Sequence, residues 1–290
     1  MPDDERPAWF ITGCSSGIGR ALAIKVLERG YRCAVTARDP ARIADIVTAF
    51  SARAVAIPLD VTRAADVARA VEEASARFGV IDFLVNNAGY GYYAAVEEGE
   101  DAAVRDMFET NFFGLAALIR HALPGMRARR RGHVINISSV AGQIGNPGAG
   151  YYSASKAAVE GLSEALAKEV GEFGIRVTLV EPGPFRADFQ GRSMKVPRTP
   201  IAAYTGTAIA RRTQIAASAG RQPGDPVRAA EAIIAIAESD APPLRVALGR
   251  SAWDRLHDKL SRQLLELEAG RDVALGADFE EDDVADRSAR

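Results

Sequence analysis

At 290 residues the chain can hold one large α/β domain or two small ones, and its 48% apolar and 26% charged content is ordinary for a soluble globular protein. A formal net charge of -2 makes neither nucleic acid nor an anionic membrane a main partner, and the basic run 127–131 falls where a helix is expected to end, a favourable place for cations. Cys14 and Cys33 are too few for a disulfide framework and lie outside metal-ligand spacing, residues 1–7 are acidic and polar, and no apolar run approaches the roughly 18 residues of a membrane span, so no metal, no membrane and a cytoplasmic location are expected.

Short runs rich in Val and Ile alternate with longer amphipathic stretches: WFIT at 9–12, CAVTA at 33–37, AVAIP at 54–58, FLVN at 83–86, HVINIS at 133–138 and VTLV at 177–180. Runs apolar throughout suit strands covered on both faces. Their alternation with helices predicts an α/β fold, a single doubly wound parallel sheet of the Rossmann type with right-handed crossovers. No repeat or linker divides it. One dinucleotide-binding domain is expected over 1–270, with a Gly- and Pro-rich excursion at about 186–225 as a substrate lid and an acidic, solvated tail over 271–290.

The first strand runs into T12-G-C-S-S-G-I-G19, followed by a helix carrying Leu22, Val26 and Leu27. Gly13, Gly17 and Gly19 let the backbone turn sharply, and Ser15, Ser16 and Ile18 complete a loop that brings a pyrophosphate to the N–H groups of a helix start. The end of the second strand is where a dinucleotide fold reads the ribose, an acid serving NAD and a base NADP; here Ala37 is followed by Arg38, a fixed cation suited to a phosphate. NADP(H) is therefore favoured over NAD(H). The competing assignments pair Arg38 with Asp39 or Asp45 on the surface, or shift the register so that Asp39 is the acidic reader.

In Y151-Y-S-A-S-K156, Tyr152 and Lys156 are four apart and share a helix side at the margin of the apolar stripe, whereas Tyr151 is displaced by about 100°. An ammonium beside a phenol stabilises phenolate and is expected to lower the tyrosine pKa into a range useful for acid and base work. Asn111 reads as a helix-interior amide that bonds backbone or water. Asp60 has the alternative reading of a turn residue just after a strand.

The series T-G-x-x-x-G-x-G, L59-D60-V61, N86-N87-A88-G89, Asn111 in TNFFG, Ser139, Y152-x-x-x-K156 and P182-G183 resembles the short-chain dehydrogenase/reductase family, over roughly residues 9–183. The stretch from Glu181 to Arg192 is similar to the branch related to hydroxysteroid and retinol dehydrogenases. The resemblance implies Tyr152 as general acid/base, Lys156 also bonding the nicotinamide ribose, and Ser139 holding the substrate oxygen, with Ser138 as the register alternative. It implies Ala37 at the position of the acid that reads the ribose of NAD, and Asn111 as holder of a water in a proton relay. Asp60 and Val61 are implied at the adenine, Asn87, Ala88 and Gly89 beneath the adenosine half, and Pro182 and Gly183 at the cofactor. Homodimers or homotetramers are usual in the family. One departure is Ala187, where members commonly carry a threonine that binds the carboxamide; weaker cofactor binding, weaker lid closure or a substituting backbone N–H are all open.

Tyr90, Tyr92, Tyr93, Phe185, Phe189 and Met194 fall in segments expected to frame the pocket, which predicts a small, uncharged, apolar alcohol or ketone as substrate, though the same aromatics could merely pack the lid. The expected function is NADP(H)-dependent hydride transfer between nicotinamide and an alcohol or carbonyl compound. The alternative is an NADPH-sensing regulator with little or no turnover.

Overall fold

The computed structural model describes residues 6–187 and 194–278. Seven parallel strands form the central sheet: β1 (Ala8–Ile11), β2 (Arg32–Ala37), β3 (Ala54–Pro58), β4 (Phe83–Asn86), β6 (Gly132–Ile137), β7 (Ile175–Pro182) and β9 (Arg245–Leu248). A second, two-stranded piece pairs β5 (Gly91–Tyr92) with β8 (Met194–Lys195). The helices are α1 (Gly17–Glu28), α2 (Ala44–Ala49), α3 (Ala64–Phe78), α4 (Asp101–Phe108), α5 (Gly114–Arg129), α6 (Gly150–Val170), α7 (Ala210–Ala217), α8 (Pro226–Glu238), α9 (Arg250–Ala269) and α10 (Arg271–Leu275).

The strand order is β3-β2-β1-β4-β6-β7-β9. Chain progression reverses between β1 and β4, so the loops after these strands diverge and leave a crevice at their carboxyl ends. Every residue of β1, β2 and β6 is buried, as a sheet covered on both faces requires. On one face Phe10, Leu84, Val134 and Leu179 pack with Val67, Leu118 and Val159; on the other Ile11, Val35 and Ile135 pack with Leu22, Val26 and Ile233. Fully burying a side chain of this size contributes about 2 kcal/mol.

All six strands expected from the sequence are present. The seventh, β9, was not expected: it has four residues, three of them only half-buried, and begins with Arg245. An edge strand of that kind carries no continuous apolar run. Helix α10 falls inside the expected tail, whose residues 279–290 lie outside the described ones. Within 186–225, a π-helical turn (Thr205–Ile209) leads into α7, and the segment is fastened to the domain by Glu98. The fully buried Glu98 side chain accepts the Ala95 and Ile201 N–H groups and pairs with Arg212 at 3.0 Å. Residues 188–193, including Phe189, lie outside the described residues.

Candidate active site

A cavity of about 780 Å³ opens at the carboxyl ends of β1, β2, β4, β6 and β7. Gly13, Ser15, Ser16, Gly17, Ile18, Arg38, Asp60, Val61, Asn87, Ala88, Gly89, Ser139, Tyr152, Lys156, Pro182 and Gly183 all line it. Of the expected site residues, Gly19 and Asn111 stand behind the wall and shape it.

The phosphate loop shows why its glycines are needed. Gly13 and Gly17 have φ of +72° and +60°, a region that side chains with Cβ rarely enter. At Gly19 an added Cβ would lie 2.3 Å from Asn87 Nδ2 and 2.7 Å from the Gly13 carbonyl. Asn87 in turn donates from Nδ2 to the Thr12 carbonyl (2.8 Å), while Thr12 Oγ1 accepts the N–H groups of Asn87 (2.8 Å) and Ala88 (2.9 Å). This stitches the loop after β1 to the end of β4. Ser16 precedes α1 without a side-chain cap, and the first turn of α1 carries no acidic side chain, so its N–H groups suit an anion.

Arg38 makes no ion pair among the described residues. Asp39 caps the following turn by accepting the Ala41 N–H at 3.0 Å, and Asp45 pairs with Arg20, which holds its carboxyl below the usual range. The surface pairing considered for Arg38 is thus absent. Asp60 does act as a turn residue, accepting both the N–H (3.1 Å) and the hydroxyl (2.8 Å) of Thr62, while facing the cavity. Ala187 also lines the cavity, its methyl 3.1 Å from where a Gly17 Cβ would stand, and its N–H donates to Phe185 O at 2.8 Å. That N–H is already committed.

At the other end, helix α6 buries Tyr152, Ser155, Lys156 and Val159 on one side, so Tyr152 and Lys156 both reach the cavity. Tyr151 instead donates to the Val96 carbonyl at 2.7 Å and packs beside Tyr92. The Tyr152 phenol hydrogen-bonds Ser139, which is fixed by accepting the Ala141 N–H at 3.1 Å. Ser138 Oγ is buried with no hydrogen-bond partner, and the Ser138 N–H anchors to Val180 O at 2.8 Å, so Ser139 is the serine in register with the phenol.

Two expectations are corrected. Burial, with Tyr93 adding, pushes the Tyr152 pKa up rather than down, and the Ser139 hydrogen bond offsets only part of this. The Lys156 ammonium donates to the Ile137 carbonyl at 2.7 Å, and burial lowers its own pKa to about 8, against a smaller upward pull from Glu160. The neutral phenol is the resting form. Second, Asn111 lies in a π-helical turn (Glu109–Phe113), not in a regular helix. Its Nδ2 donates to Tyr90 O (2.9 Å) and Ser155 Oγ (3.1 Å), and Oδ1 accepts the Tyr90 N–H (3.0 Å). Only a second lone pair on Oδ1 is left for water. Gly89 faces this group: a Cβ there would lie 3.0 Å from Asn111 Oδ1 and 3.6 Å from Lys156 Nζ. It therefore borders Asn111 and Lys156, and was expected only beneath the adenosine half.

Of the aromatics expected around the substrate, Tyr90, Tyr93 and Phe185 line the cavity. Tyr93 stacks on Tyr152 with ring centroids 5.9 Å apart. Tyr92 does not reach the cavity; it is buried and its hydroxyl accepts the Glu100 N–H at 3.1 Å. Met194 is likewise off the wall. The sequence reading missed Lys195, Arg211 and Arg255, three cations on the same wall. Nothing in their spacing marks them, since each reads as a solvated charge on a polar segment.

A doubly wound parallel sheet with a glycine loop at its first crossover and a serine, tyrosine and lysine at the crevice defines a nucleotide-binding oxidoreductase of the Rossmann class. The chain belongs to the short-chain dehydrogenase family: the family model described as short chain dehydrogenase matches residues 8–196. It is 38% identical over 245 residues to oxidoreductase BOA17 of Botryotinia fuckeliana, covering 84% of this chain and 89% of that one. It is 35% identical over 254 residues to human retinol dehydrogenase 8, covering 81% and 79%. A short-chain dehydrogenase crystal structure from Streptomyces avermitilis matches with TM-score 0.88 and 41% identity over 94% of this chain and 100% of that one. Similar members were solved with NADP, a metagenomic oxidoreductase (TM-score 0.67, 26% identity, 83% and 96% covered), and with NAD, from Burkholderia phymatum (TM-score 0.77, 25% identity, 91% and 97% covered). Among the described residues, no helix is long and apolar enough to cross a membrane.

Proposed function

We propose that the chain is an NADP(H)-dependent carbonyl reductase or alcohol dehydrogenase in which Tyr152 is the general acid and base. The observation that carries this reading is the Ser139–Tyr152 hydrogen bond at the cavity wall, with buried Lys156 one helical turn along. The nicotinamide, when bound, supplies or takes the hydride. The residues do the rest. In the reducing direction the neutral phenol of Tyr152 gives its proton to the carbonyl oxygen, and Ser139 holds that oxygen in place. A cationic Lys156 stabilises the phenolate this leaves. Asn111, by gripping both backbone groups of Tyr90, fixes the loop against which Lys156 lies, and offers its remaining lone pair to a water that re-protonates the site.

Preference for NADP(H) is supported by Arg38, without an ion-pair partner among the described residues at the cavity edge, and by Ala37, which brings no acid to repel a phosphate. The test is NADPH and NADH oxidation by purified protein over a panel of ketones and oxo acids of graded size. Turnover with NADPH favoured is the expected result. NADPH binding without turnover of any carbonyl overturns the enzyme reading in favour of a cofactor sensor.

A further inference from the structure

We infer that the substrate end of the cavity holds an anionic group, a carboxylate or phosphate carried by the carbonyl compound, gripped by Arg211 and Arg255 with Lys195 beside them. This rests on the oxidoreductase reading above and replaces the expectation of an uncharged substrate. Arg211 comes from α7, Arg255 from α9 and Lys195 from β8, and all three face the cavity. Arg255 donates to the neutral Asn146 Oδ1 at 3.1 Å and has no carboxylate partner among the described residues. The Arg211 side chain has its Nε buried and makes no hydrogen bond or ion pair among the described residues. Lys195 Nζ rests 4.3 Å from the centroid of the Tyr90 ring and also lacks an acid.

The neighbouring residue provides the contrast. Arg212, one position along α7, is paired with Glu98 at 3.0 Å, so the helix turns one guanidinium to an acid and the other to the cavity. Asp60 is the one carboxylate on the cavity wall among the described residues, on the loop after β3. Arg211 and Arg255 are close enough that the charge of the first, after burial, lowers the pKa of the second. Like charges brought together and half-buried are unfavourable unless an anion joins them. Two guanidinium forks give paired donors to a carboxylate or phosphate. Arg211 also acts on Tyr93, whose ring stacks on Tyr152, so the anion would lie on the side of the cavity where the phenol works.

The test needs no turnover. Full-length protein saturated with NADPH is titrated calorimetrically with octanoate, octyl phosphate and octanamide. The anions are expected to bind about tenfold or more tighter than the amide, and the better of the two identifies the head group. In R211Q the preference falls toward one, and R211K restores part of it. Equal binding of amide and anions, or an anion preference unchanged in R211Q, overturns the inference. So does octanoate competing with NADPH, which would assign these cations to the cofactor. A parallel kinetic arm compares oxo acids with their methyl esters. If neither is turned over while octanoate still binds through Arg211, the oxidoreductase reading fails and the anion site stands.

Discussion

The two ends of the cavity are built in opposite ways. At the phosphate loop the wall is backbone and small side chains: Gly13, Gly17 and Gly19 give turn and clearance, and Thr12 and Asn87 are spent on holding the loop to the next strand. At the far end it is long side chains brought from separate elements: Tyr93, Lys195 and Arg211 on segments tied together through Glu98 and the short β5 and β8 pair, and Arg255 on α9 after the edge strand. In the proposed function the first end would read a ligand by shape and helix-terminal N–H groups, and the second by charge and aromatic faces. A glycine substitution in the phosphate loop therefore acts through the backbone, and one at the far end through a single contact.

The strongest test of that contrast is Lys156→Met, at the boundary between the ends. Removing the ammonium that supports the phenolate should lower kcat by about 10²- to 10⁴-fold, measured by NADPH oxidation at saturating substrate. Gly19→Val should come next. Its Cβ alone would press on the Asn87 amide and Gly13 carbonyl, so NADPH binding followed by fluorescence should weaken by about tenfold or more. Retained affinity would show the loop yields more easily than its packing implies. Ala37→Asp, a purely electrostatic change, should move the NADPH to NADH preference toward NADH by about tenfold; an unchanged ratio of kcat/KM values would remove Arg38 and its neighbour from the role given them.

The smallest effect concerns the underside of the site. Burial, with Glu160 beside it, raises the Glu181 carboxyl to about 7, while the Gln143 amide and Arg245 pull it down. Its folded pKa lies above the ordinary 4.5, so the folded chain holds the extra proton between these values. The stability this group contributes is present at low pH and is lost as pH rises toward 7. Melting temperature should fall by a few degrees between about pH 5 and about pH 7.5, and Glu181→Gln should flatten that slope. A slope unchanged in the variant would place the titration elsewhere.

The same contrast explains what was legible in the sequence. The sheet and the cofactor end are written in contiguous signals: apolar strand runs, and glycines at fixed offsets between a strand and a helix. Tyr152 and Lys156 are legible because four residues of helix put them on one side. Asn111 was visible as a residue but not as part of a π-turn that bonds Tyr90 across 21 residues, because local spacing carries neither feature. The upward shift of Tyr152 needed its burial, which local spacing does not contain. Arg211 and Arg255 were missed because exposed and cavity-facing arginines look alike until the chain is folded. Arg211 and Arg212 are adjacent, and one of them meets an acid.

Tyr152→Phe is the most direct measurement of the central claim, with NADPH affinity and turnover followed in the same preparation. The account predicts that kcat falls by about 10²- to 10⁴-fold while the NADPH Kd changes by no more than about twofold, because the phenol carries the proton and the opposite end carries the phosphates. Turnover retained in the variant would contradict it, since some other group would then be moving the proton.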